Sequence, residues 1–130
     1  MIFAFCLNAA AGPLTFKGQN VCDVTSLERA GGKLYMGILS GDFGGKTQMN
    51  IVVSSNGGKS FSAPVLTLSH ETLSISNGIL WADASGSLWC FYTESDGYFD
   101  GKGILKAIRC HDPSVKMPVW SDPQELGYGV

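Results

Sequence analysis

Along most of this chain the apolar residues fall in short runs, alternating with polar ones and separated by glycine-rich punctuation, which is the pattern of strands and tight turns. Residues 21–27, 33–39, 49–53 and 61–68 read as four strands in succession. Gly31-Gly32 closes the first hairpin, residues 40–46 form a longer second loop, and Ser54-Ser55-Asn56-Gly57-Gly58-Lys59-Ser60-Phe61 carries the sharpest turn signal. An Asn followed by two glycines supplies the positive-φ positions of a tight hairpin, and the Asn side chain can bond nearby backbone groups. Pro64 suits an outer strand, where a missing amide donor does no harm. No stretch shows helical periodicity.

The same unit then recurs. Residues 78–82, 87–93 and 103–109 read as three more strands, and Val119-Trp120 begins a fourth. Gly32-Lys33-Leu34-Tyr35 aligns with Gly86-Ser87-Leu88-Trp89, Ser54-Ser55-Asn56 with Cys110-His111-Asp112, and Phe61-Ser62-Ala63-Pro64 with Trp120-Ser121-Asp122-Pro123. Four short strands per repeat are the signature of propeller blades.

The turn resembles the Asp-box, a Ser-x-Asp-x-Gly-x-x-aromatic hairpin repeated in sialidases. Ser54, Asn56, Gly58 and Phe61 stand at its four pattern positions. Asn replaces Asp, and both can accept the same backbone hydrogen bonds. A second box is degraded: it keeps Asp112 and Trp120, lacks the glycine, and holds residues 114–118 before its Trp. Asn77-Gly78-Ile79-Leu80, with Gly86-Ser87-Leu88-Trp89-Cys90-Phe91-Tyr92, is similar to a segment of bacterial exo-sialidase-like proteins, with Gly78 in place of a proline. The resemblance to the sialidase (neuraminidase) superfamily covers residues 21 to 126. It implies an all-β chain of two four-stranded antiparallel blades of a sialidase-like β-propeller, a fragment of a six-bladed whole. The segments expected are 1–19, a clipped signal or a strand from upstream sequence, then 20–70, the blade with the box, and 75–128, the blade with the degraded box. In each box the aromatic is expected to pack between neighbouring sheets.

Charge and cysteine usage narrow the partners. A formal charge of −2 leaves no basic stripe for nucleic acid or for an acidic lipid surface. Cys6, Cys22, Cys90 and Cys110 show no Cys-x-x-Cys and no ligand-like spacing to His70 or His111, so neither a metal nor another cofactor is expected. Cys90 and Cys110 lie in apolar runs and read as buried thiols. No stretch is long enough to span a bilayer as a helix. Residues 1–7 are apolar and are followed by small residues, so that a secreted or periplasmic location is favoured.

Blade geometry would put the loops between second and third strands, together with the blade-to-blade linkers, on one face, and the box turns on the other. The boxes are therefore structural. The first face would display Asp42 and Phe43, then Glu94, Asp96, Tyr98, Phe99 and Asp100, with His70, Glu71 and Asn77 between them. Acidic and aromatic loop residues suit a sugar, whose hydroxyls donate to carboxylates and whose apolar faces cover rings. By resemblance, Asp42 occupies the loop of the family's acid/base Asp, and Glu71, Asn77, Tyr98 and Asp100 are candidate substrate contacts. The family holds its substrate's carboxylate with three arginines and attacks with a Tyr from later blades. This chain has only Arg29 and Arg109, with Asp23 at the first arginine position. Two expectations follow. One is a fragment of a sialidase-like glycoside hydrolase acting on terminal sialic acids; the other is a non-catalytic propeller module that binds glycans or proteins. Either way the open blade edges call for the rest of a propeller or for self-association.

Overall fold

A computed structural model of the chain describes residues 15–16, 19–42, 45–96 and 100–130. Among them are nine strands and no helices: β1 (Thr15–Phe16), β2 (Gln19–Ala30), β3 (Lys33–Gly41), β4 (Thr47–Ser54), β5 (Leu66–Leu68), β6 (Ser74–Ala82), β7 (Leu88–Ser95), β8 (Ile104–Cys110) and β9 (Gln124–Tyr128). They make two antiparallel sheets in chain order, β1 to β5 and β6 to β9. The protein is thus all-β. Strand β1 adds only two residue pairs at the edge of β2, so each sheet is in substance a four-stranded meander. β1 and the start of β2 lie within the segment 1–19.

The fourth strands are shorter and later than their sequence suggests. Of residues 61–68 only Leu66–Leu68 joins the ladder, and the second unit's last strand starts at Gln124 instead of Val119. Proline is the reason in both. Ser62 and Val65 donate backbone bonds of 2.8 Å to Val53 and Ile51, but Pro64 between them has no amide to offer. Trp120 makes a single bridge with Cys110, and the regular ladder resumes only beyond Pro123.

The two sheets repeat each other at the third hairpin and in the strands that lead into it. Leu34 pairs with Ser54, and Leu88 with Cys110. Beyond the third hairpin, Ser62 N donates to Val53 O and Ser121 N to Arg109 O, both at 2.8 Å. The side chains copy this: Ser62 Oγ accepts from Val53 N at 3.1 Å, and Ser121 Oγ from Arg109 N at 2.9 Å. Each first strand carries a bulge as it passes the middle of its neighbour, between Val24 and Ser26 in β2 and between Ser76 and Ile79 in β6. The aligned segments of the sequence thus occupy equivalent places in both sheets.

Burial joins the sheets face to face. Tyr35, Met49, Ile51 and Val53 of the first meet Ile75, Leu80, Leu88, Cys90, Tyr92, Ile108 and Cys110 of the second in one core, with Trp120 packed against it. Phe61, at the equivalent place, packs with Met36, Ile38 and Val52 on the opposite face of the first sheet, beside Val21 and Val24. Polar bonds set the registry: Leu80 N donates to Ser26 Oγ at 3.0 Å, and Thr47 Oγ1 to Ile75 O at 2.7 Å. At the far end Tyr35 Oη donates to Pro113 O, and Lys33 Nζ to Val115 O at 2.9 Å, so the residues inserted in the second box cross to the first sheet.

Closest approach falls at Gly78. A Cβ there would overlap Met49 Sδ, and Met49 is wholly buried. Gly78→Ala should therefore destabilise the protein by about 1–3 kcal/mol through overpacking. Urea unfolding followed by circular dichroism would read this as a lower midpoint with an unchanged slope.

Candidate functional site

The box turn is built by side chains that gather orphan amides. Ser54 is buried at the end of β4, and its Oγ accepts from Gly58 N at 2.8 Å while donating to Asn56 Oδ1 at 2.9 Å. Asn56 Oδ1 also accepts from Ser60 N at 3.0 Å, and its Nδ2 donates to Ser60 Oγ at 2.8 Å. The Asn56 side chain thus both accepts and donates across the turn, where a carboxylate could only accept. Gly57 and Gly58 turn the chain at φ of 75° and 90°, where a side chain would be strained. In the second box Asp112 Oδ1 accepts from Ser114 N at 3.0 Å and from Ser114 Oγ. These bonds, with the charge of Lys33, hold the Asp112 carboxyl below the usual range. Cys110 stands where Ser54 stands; burial pushes its thiol up, and burial pushes that of Cys90 up to about 12.

A third polar turn joins β6 to β7. Asp83 Oδ1 accepts from Ser85 N at 2.9 Å, Ser85 Oγ at 2.6 Å and Ser87 N at 3.0 Å, and Oδ2 accepts from Trp89 Nε1 at 2.8 Å. Arg109 lies over the Trp89 ring at 5.1 Å, donates to Ser87 Oγ at 2.9 Å and reaches Asp83 at 3.7 Å. The signal was present as Asp-x-Ser-x-Ser, an Asp placed to cap its own turn. These bonds, that of Ser85 foremost, hold the Asp83 carboxyl well below its usual range.

The opposite end carries the candidate sugar contacts. Asp42 is exposed beyond β3, and its backbone oxygen accepts from Gly45 N at 2.8 Å. Glu71 is exposed in the linker between β5 and β6, and its carbonyl accepts from Lys46 Nζ at 2.6 Å. Ser74 Oγ donates to Gly45 O at 3.0 Å, so the 42–46 loop and the linker are tied together. His70 is half-buried there, its Nδ1 accepting from Thr72 N and Leu73 N at 3.1 Å. Asp100 is exposed in the β7–β8 connection, where its Oδ1 accepts from Lys102 N at 2.9 Å. Tyr98, Phe43 and Phe99 lie outside the described residues.

Two residues expected on that end sit elsewhere. Asn77 belongs to β6, which starts at Ser74; it occupies the bulge at φ 59°, exposed on the sheet face with Nδ2 3.5 Å from Thr93 Oγ1. Asn tolerates this left-handed conformation better than most residues. Glu94 is buried and paired with Lys106 Nζ at 2.7 Å, because its strand position points into the core side.

The arginines lie apart from the exposed loop-end carboxylates. Arg29 stands beside the Gly31-Gly32 turn and Arg109 beside the Asp83 turn, so both arginines of the chain lie at the box end, away from Asp42. Asp23, exposed on β2 opposite Leu39, adds another carboxylate. Among the described residues no group of three or more His, Cys, Asp and Glu could hold a metal ion, and no helix is long and apolar enough to cross a membrane. The loop end can accept hydroxyl hydrogen bonds but offers no guanidinium to an anion. Comparison with protein-family models, curated proteins and solved structures finds no match.

Two measurements probe the turns. Ser54→Ala should cost about 1 kcal/mol, since the amide of Gly58 loses its acceptor; chemical denaturation reads this directly. The Asp83 carboxyl binds its proton less readily folded than unfolded. It therefore contributes stability above its ordinary value near pH 4, and that stability is lost as the pH falls below it. Melting temperatures should drop with acid below about pH 4, and Asp83→Asn should flatten that drop.

Proposed function

We propose that this chain supplies two blades of a sialidase-like β-propeller and that its loop end binds a glycan without cleaving it. The repeated box geometry supports the blade reading: Ser62 and Ser121 make the same pair of bonds after aligned aromatics, Phe61 and Trp120. One observation carries the binding reading. Exposed Asp42, Glu71 and Asp100 share the loop end, while both arginines face the other way. Lys46 and Lys102 lie beside these carboxylates, so such a surface accepts hydrogen bonds from sugar hydroxyls but lacks the guanidinium fork that grips a sugar carboxylate. Neutral glycans are its fitting ligands, and a secreted or periplasmic location would bring them within reach.

A second reading rests on Asp42 alone. An exposed carboxylate on the loop after the second strand is where a sialidase-like hydrolase would keep its acid/base, with arginines and a Tyr nucleophile supplied by other blades. Acting on terminal sialic acids would need those parts.

The test pairs binding with turnover. Titration of neutral and sialylated oligosaccharides, followed by NMR, should shift the amides near Asp42, Glu71 and Asp100 with the neutral ones. Asp42→Ala should weaken that binding about tenfold, or about 1.4 kcal/mol. No hydrolysis of a fluorogenic sialoside is expected. Turnover abolished by Asp42→Ala would establish the hydrolase reading, and shifts confined to the box end would sink both.

A further inference from the structure

Strand β9 runs along β8 toward the β7–β8 connection, and at its end the chain is pinned to that connection by main-chain bonds. Gly103 N donates to Val130 O at 3.0 Å, and Gly129 N and Val130 N donate to Gly103 O at 3.0 and 3.2 Å. Gly129 turns at φ 91°, and a Cβ on it would lie 3.5 Å from Gly101 O. Tyr128 is thereby held beside the turn of Asp100, one of the three exposed carboxylates of the loop end. It is 75% exposed, and its neighbours Gly127 and Gly129 have no side chains to cover it. Register says which way it faces. Ile75, Glu94, Ile104 and Tyr128 are successive partners across β6, β7, β8 and β9, so their side chains share one face of the sheet. Ile75 lies in the core between the sheets, which makes this the face toward the first sheet and its Asp42 loop. Glu94 in that row is already paired with Lys106. Among the described residues two aromatics are listed by their exposure as open to solvent, and the other, Trp81, stands at the far end of β6 beside the Asp83 turn.

We infer that Tyr128 is the stacking platform of the glycan site and that it selects a β-linked pyranose chain with equatorial substituents. Its ring lies against the axial C–H face of one sugar unit, while Asp100 accepts from the hydroxyls of that unit. The Lys102 amide holds Asp100 Oδ1 at 2.9 Å, so the carboxylate is placed before a ligand arrives, and it keeps further lone pairs for a hydroxyl. A flat aromatic ring admits only a sugar face without an axial hydroxyl. An equatorial linkage then lets the chain continue in the plane of the stacked unit, toward Asp42 and Glu71. The inference rests on the reading of the loop end as a glycan site and adds the residue that reads the shape of the ring.

The test titrates the whole chain with cellotetraose, a neutral β-1,4-linked probe whose substituents are equatorial. Its axial protons should move upfield on binding, through the ring current of an aromatic side chain lying face-on. Tyr128→Ala should abolish that movement and weaken binding about fivefold, whereas Tyr128→Phe should stay within about twofold of the parent and keep it. Tyr128→Leu keeps apolar area without a π face, so it should lose the upfield movement as well; it also serves should the alanine variant fold poorly. Cellotetraose that shifts the amides near Asp42, Glu71 and Asp100 while none of its own protons moves upfield, or that binds Tyr128→Ala as tightly as the parent, overturns the inference and leaves the glycan reading standing. Equal affinity for maltotetraose, whose linkage is axial, does the same. Silence from every neutral oligosaccharide overturns both.

Discussion

The approach of Gly78 to the thioether of Met49 sets the separation of the two sheets, and with it the rest of the molecule. A strand crossing a sheet can lie this close only where one side has no Cβ. The bulge at Asn77 and Gly78 gives β6 the extra residue that brings the glycine there and turns Leu80 into the core. From that contact follow the bond from Leu80 N to Ser26 and the bond from Thr47 to Ile75, which fix the sheets in rotation as well as distance.

Repetition then does a second task, since it decides which polar groups are used for structure and which stay exposed. Both hairpins that follow the third strands spend their serines and acids on backbone amides, and the Asp83 turn spends a carboxylate, a serine pair and the Trp89 indole in the same way. These turns, together with the Gly31-Gly32 turn, lie at one end. At the other, the carboxylates of Asp42 and Glu71 are exposed, and the bonds that order their loops run through main-chain oxygens and the His70 ring. Side chains free of structural duty are those a ligand can recruit.

The turn was legible because turn chemistry is local: Ser54, Asn56 and Gly58 act within a few residues of one another, and the Asn56 side chain bonds the backbone as its type predicts. The match of Phe61-Ser62 to Trp120-Ser121 was legible for the same reason. Asp83 could have been found by that logic. The early start of β6, which takes Asn77 out of the linker, could not, since Ser74-Ile75-Ser76 carries little strand signal and is held by Ser95, Glu94 and Thr93 of β7.

Local order, then, was written in the chain: strands, turns, their recurrence and the all-β class all follow from alternation and from glycine, asparagine and proline at turns. Contacts between distant residues were not. That the residues after Asp112 reach across to Tyr35 and Lys33, and that Glu94 is buried beside Lys106, depend on how two sheets stack. Stacking is decided by which faces can exclude water together and how near they can come. A one-dimensional pattern names the faces; only the packed pair of sheets says which of them is covered.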